Sequence, residues 1–131
     1  MISALISNAS PEKVSVYRFE EVVTDRGGTK KTPVLLKKNL IVSVQTSGST
    51  HSVGGMAIIN NIAGKTKKSV FMVYSPRFKM LVKDLLVRAD GLIYEVHQVE
   101  HNGVGTLLEH DKYYIVECDN QKVLKNELRI S

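Results

Sequence analysis

At 131 residues the chain is long enough to bury one hydrophobic core without disulfide or metal support, and too short to require a second domain. Its one cysteine, Cys118, excludes an internal disulfide, and no apolar run approaches the roughly 20 residues of a membrane-spanning helix, so a soluble intracellular product with no membrane partner is expected. The net charge of +5 hides a division, since residues 1–88 carry 14 Lys and Arg against 5 acids and residues 89–131 carry 4 against 8, which leaves open both a polyanion partner and the stacking of basic on acidic subunit faces.

Residues 1–13 show no period and contain Pro11, as a loose arm would. Residues 14–23, VSVYRFEEVV, read as a strand, and Gly27-Gly28 offers the positive φ of a tight hairpin. The return strand spans residues 32–45. There Val34, Leu36, Leu40, Val42 and Val44 share one parity, and a bend or bulge near residues 37–39 keeps them on one buried face.

Residues 46–69, TSGSTHSVGGMAIINNIAGKTKKS, are rich in Gly, Ser and Asn and read as a long loop, a feature usually either functional or disordered. It holds an apolar island over residues 56–62, with Met56, Ile58 and Ile59, and ends in Lys65, Lys67 and Lys68.

Residues 70–74 form a short apolar strand, and residues 77–86 read either as one or two helical turns, which their apolar spacings suit, or as a meandering crossover. Asp90-Gly91 is a turn signal before the strand LIYEVHQVEH. If residues 102–105 are the next loop, Tyr94 faces Tyr113, Glu95 faces Lys112 and His97 faces His110, an aromatic pair and an ion pair in register. A two-residue turn at Asn102-Gly103 is the alternative suggested by the dipeptide, and it loses those matches. Residues 119–131 read either as a short helix with Val123, Leu124 and Leu128 inward or as an arm that joins a neighbouring subunit. The fold class is therefore mainly β, a small antiparallel barrel or sandwich of one domain, with one long inserted loop and a short helix expected at 77–86 or 119–128.

No constellation for chemistry emerges. His97 and His101 on a strand stand roughly 13 Å apart, too far to share a metal ion, and a His97–His110 pair would lack a third ligand. Cys118 has no histidine near it in sequence, there is no G-x-S-x-G elbow, and Gly64-Lys65-Thr66 lacks the upstream glycine of a phosphate-binding loop. Catalytic and cofactor-binding residues are thus expected to be none. A small nucleic-acid-binding barrel is a further reading, although three phenylalanines and five tyrosines, with no tryptophan, must also fill the core and leave few rings to stack on bases.

The order of pieces resembles the head-closure or head-tail joining proteins of long-tailed bacteriophages. The residues that carry the likeness are Val42-Ser43-Val44-Gln45 closing a strand, the long segment after it, the strand at 70–74 and Lys83-Asp84-Leu85-Leu86. With them goes Asp90-Gly91-Leu92-Ile93-Tyr94-Glu95-Val96, similar to the family's D-G-x-x-Y-E-V strand, and the closing strand at 113–117. The resemblance covers roughly residues 14–118. It implies a barrel that assembles as a homo-oligomeric ring in the virion neck, after a period in the host cytoplasm, between portal or adaptor proteins and the tail terminator or tail tube. It further implies that the long loop points into or across the channel that holds packaged double-stranded DNA, with Lys65, Lys67 and Lys68 near DNA or a neighbouring subunit and the island of Met56, Ile58 and Ile59 able to pack against its copies. A tail-completion or tail-tube-like protein shares these features.

Overall fold

The computed structural model describes residues 11–46, 53–66, 68–75, 78–102 and 110–130. In chain order these form strands β1 (Pro11–Val23) and β2 (Thr29–Thr46), helix α1 (Val53–Thr66), strands β3 (Val70–Ser75), β4 (Leu85–Val87), β5 (Ile93–Asn102) and β6 (His110–Glu117), and helix α2 (Gln121–Leu128). The strands close into an antiparallel barrel in the order β1-β2-β3-β6-β5-β4, with β4 returning to β1. Closure satisfies the backbone groups that an open sheet would leave at its two edges.

The core follows from period-two alternation. Val14 and Val16 of β1, Leu40 and Val42 of β2, Tyr94 and Val96 of β5, and Tyr113 and Ile115 of β6 all point inward and meet in one buried cluster. The strand expected at residues 32–45 is irregular where a bend or bulge was expected, with two successive register shifts: Val14 faces Leu40, Val16 faces Lys37 and Tyr17 faces Leu35. Asn39 takes up the irregularity at φ 58°, a left-handed conformation that asparagine tolerates better than most residues. The two shifts together displace the register by two residues, so the core residues on both sides keep the same face, and Leu36 and Val44 pack against the cluster.

Three sequence expectations need correction and one alternative is decided. The segment 46–69 is not irregular throughout, since residues 53–66 are helical. Of the two forms open to residues 77–86, the helical one is not found among the described residues, which take the meandering one: residues 81–84 make a tight turn and the chain then enters β4. Residues 11–13 are strand and not arm. Neither proposed register of the last hairpin is found: Val99 faces Tyr113, Glu100 faces Lys112 and Asn102 faces His110, with a bulge between Val96 and Gln98, and Tyr94 faces Glu117. The connection is longer than either turn allowed. Other contacts take the place of the expected aromatic and ion pairs: the Lys112 ammonium lies 5.0 Å from the Tyr114 ring and 5.6 Å from the Tyr74 ring, and the Tyr114 hydroxyl donates to Glu100 at 3.0 Å. Burial works to lower the Lys112 pKa, but the Tyr114 hydroxyl, Tyr74 and Glu100 outweigh it and hold the ammonium above its ordinary value.

At the C-terminus the chain forms the helix and not the extended arm. Leu128 is buried against Leu85 and Ile93, with Leu124, Tyr17 and Phe19 around them, whereas Val123 is 54% exposed and faces outward. The Gln121 amide ties the helix to the barrel by accepting from Ile93 N at 2.9 Å and donating to Ile93 O at 2.8 Å and Cys118 O at 2.9 Å. It continues the β5 ladder where the strand partner has ended.

The first hairpin outruns the barrel. β4 pairs with β1 only at Ser15, Val16 and Tyr17, and β3 pairs with β2 only from Ser43 to Thr46. Beyond those points, among the described residues, 18–23 and 29–34 pair with each other alone, as a two-stranded ribbon.

Candidate functional site

Helix α1, in the segment between β2 and β3, lies on the outer wall of the barrel. VGGMAIINNIAGKT is a poor helix former, with three glycines and two asparagines, so tertiary packing must supply what propensity does not. Ile59 and Ile62, one helical turn apart, are 5% and 7% exposed against Val70, Met72, Tyr114 and Val116, with Ile58 and Ala63 at the margin. The outward side chains of β3 and β6 are therefore covered by the chain's own insert.

The sequence candidates separate here. Lys65 is exposed in the last turn of α1. Lys67 and the side chain of Met56 lie outside the described residues. The Lys68 ammonium donates to Glu117 O at 2.8 Å and pairs with the Asp119 carboxylate, which pins the end of the insert to the end of β6. Ile58 and Ile59 face the barrel in this arrangement, and lining a channel would require α1 to leave it.

A cleft opens beside Lys65, between the end of α1, the start of α2 and the 81–84 turn, with Lys31 and Lys83 on its rim. Leu81 and Val82 stand at its mouth, 56% and 52% exposed. The turn that presents them is strongly held. Asp84 N donates to Leu81 O at 3.0 Å, and the Asp84 carboxylate, 2% exposed, accepts from Leu81 N and from both Nε and Nη2 of Arg18, each at 2.8 Å. That fork holds the Arg18 guanidinium pKa above its ordinary value. Lys83 sits at φ 78°, where glycine would be at ease. Lys83 N donates to Val96 O at 2.8 Å and Val96 N to Asp84 O at 2.9 Å, which keeps the strained residue in place.

A second fork joins the chain near its start to the D-G-x-x-Y-E-V segment. Arg88 Nε and Nη2 donate to the Glu12 carboxylate at 2.9 Å each. The same guanidinium lies 5.4 Å from the Tyr94 ring and 5.7 Å from the Phe71 ring, which themselves meet edge to face at 5.6 Å. The hydrogen bonds from Arg88 hold the Glu12 carboxyl below its ordinary value against the opposing effect of burial, and the partnership raises the arginine further.

The residues that carry the resemblance are framework. Val42 is fully buried, Val44 packs on the core and Gln45 Nε2 donates to Ser43 Oγ at 3.4 Å. Asp90 Oδ1 accepts from Leu92 N at 2.9 Å, and Gly91 at φ 86° donates its N–H to Arg88 O at 2.9 Å, so the pair makes the turn into β5. Tyr94 and Val96 then point inward, 4% and 0% exposed. Cys118 is half-buried, and desolvation followed by the charge of Glu95 pushes its thiol up to about 11, which opposes nucleophilic use.

Sequence reasoning passed over both arginine forks. One signal was available, since Asp84 is the only acid between Arg26 and Arg88, and a lone carboxylate in so basic a stretch has cause to be paired. The chain matches no known protein-family model and no curated protein sequence.

Proposed function

We propose that the protein is a structural component of a bacteriophage neck, a β-barrel that assembles as a ring between the portal complex and the tail, closes the DNA-filled head and offers the platform on which the tail docks. What supports the reading most is the coincidence of a closed barrel with the resemblance. Asp90-Gly91 makes the turn into β5, Tyr94 and Val96 fill the core from that strand, and the insert leaves at the end of β2, just after Val42-Ser43-Val44-Gln45. In the ring, α1 is the part of the insert that would lie against either the channel or a neighbouring copy, and Lys65 is its exposed cation.

Electron microscopy of a lysate from a phage with a nonsense codon in this gene tests the proposal. Finished tails beside tailless heads, empty or filled, are the expected result; normal joined particles would overturn it.

A second reading, a small nucleic-acid-binding barrel, is favoured by one observation. Lys30, Lys31, Lys37 and Lys38 of β2 are all exposed, and no acid occurs on that strand. Against it, Tyr94, Tyr113 and Tyr114 are buried, Phe71 is packed on the core and Tyr17 and Phe19 lie under α2, so these rings are committed to packing and unavailable for base stacking.

A further inference from the structure

The ribbon formed by residues 18–23 and 29–34 is a two-stranded sheet, which in water is marginal by itself. Among the described residues no other strand pairs with it, so it has two open edges: residues 18–23 of β1 on one side and residues 29–42 of β2 on the other. The edges differ in charge. The β1 edge carries Glu20 and Glu21 and leads to Asp25 in the turn, and the β2 edge carries Lys30, Lys31, Lys37 and Lys38, all exposed. Apolar side chains stand exposed on the same two edges: Val22 50%, Val23 75%, Leu35 47% and Ile41 49%.

We infer that the ribbon is a subunit clasp whose partner is a second copy of this chain, the acidic β1 edge of one copy pairing with the basic β2 edge of the next. The inference rests on the ring reading and adds the contact that closes it. Lysines along an edge normally deter strand addition, and two basic edges brought together repel. An acidic edge placed against a basic one removes that deterrent and satisfies the backbone groups of both edges except at Pro33, which has no N–H to donate. The arrangement is head-to-tail, the kind of interface that closes into a ring when its rotation permits. Strand direction agrees: where neighbouring ribbons project the same way, β2 of one runs antiparallel to β1 of the next, so the alternation found inside each ribbon continues around the ring. Covering Val22, Val23 and Leu35 supplies apolar contact, and the Glu20, Glu21 and Lys30, Lys31 charges set partner and polarity.

Charge exchange on the full-length protein tests this, read by sedimentation velocity at low salt over a wide concentration range. The expected result is that the parent self-associates, whereas the pair Glu20→Lys with Glu21→Lys, and separately Lys30→Glu with Lys31→Glu, each weaken association by about tenfold or more. An equimolar mixture of the two variants regains it, because the mixture restores opposite charges at every junction. The quadruple exchange, which also restores the pairing inside each ribbon, associates with itself, so a loss caused by a damaged ribbon is told apart from a loss of interface. Carbodiimide cross-linking of mixed isotopically light and heavy chains should join Glu20 or Glu21 of one copy to Lys30 or Lys31 of another.

Association unchanged in the charge variants overturns the clasp and leaves the ring reading in place. A parent that stays monomeric throughout also overturns it, as does one that instead binds a 20-base-pair duplex through Lys30 and Lys31. The ring reading is then judged separately by the nonsense-mutant micrographs.

Discussion

Replacing Arg18 by methionine is the sharpest perturbation of the 81–84 turn. The substitution keeps an apolar stem on β1 and removes two charge-assisted hydrogen bonds of 2.8 Å, leaving Asp84, 2% exposed, with Leu81 N as the remaining donor to its carboxylate. Breaking a buried ion pair costs about 3–5 kcal/mol; because the Arg18 side chain is 30% exposed and water can enter its place, the low end, about 3 kcal/mol, is expected. For a urea slope of roughly 1.5 kcal/mol per molar, the unfolding midpoint should fall by about 2 M. The variant Asp84→Asn retains an acceptor for Leu81 N and should lose about 2 kcal/mol, and the double variant should lose less than the sum by about 1.5 kcal/mol or more, since the orphaned partner no longer exists. Equilibrium unfolding of the four proteins measures the cycle. Additive losses, or an Arg18→Met midpoint within experimental error of the parent, would refute the view that this fork anchors the turn.

The remaining predictions follow from the other elements. Glu12 is held below its ordinary value of 4.5 by Arg88, so its contribution is complete above that value and is lost as pH falls through the lower folded-state value; Glu12→Gln should flatten the stability profile below about pH 5, read by thermal unfolding. Changing Ile59 and Ile62 together to alanine should release α1 from the wall formed by β3 and β6, so that hydrogen exchange accelerates along 53–66 while the inward strands stay protected; loss of protection throughout the barrel would show the helix to be part of its cooperative core. With its thiol pushed up from 9.0 to about 11, Cys118 should alkylate about 100-fold more slowly at pH 8 than an ordinary cysteine, and reaction at the ordinary rate would contradict the burial described.

The barrel was legible where local pattern and burial agree. Alternation marked Val42 and Val44, Tyr94 and Val96, and the Asp90-Gly91 turn, because each strand exposes one face to a shared core and a turn needs a residue at ease with positive φ. The same parity, broken by the polar run Lys37-Lys38-Asn39, pointed to the bulge near Asn39. The helix in the insert was missed although Ile58, Ile59 and Ile62 carry its spacing, because the glycines and asparagines around them argue for a loop and only the wall of Met72 and Tyr114 overrides that preference. The candidate lysines were grouped by closeness in sequence, yet Lys68 is fastened to Glu117 and Asp119 while Lys65 remains exposed.

The sequence by itself determined which residues alternate, where the chain turns and how unevenly charge is spread, because these depend on each residue and its near neighbours. The tertiary structure decided the rest. The register of β5 on β6, the partners of Arg18 and Arg88, the packing of α1 and the projection of the ribbon beyond the barrel each join residues distant in the chain. Their choice rests on the competition among all such pairings for one core, which no local window contains.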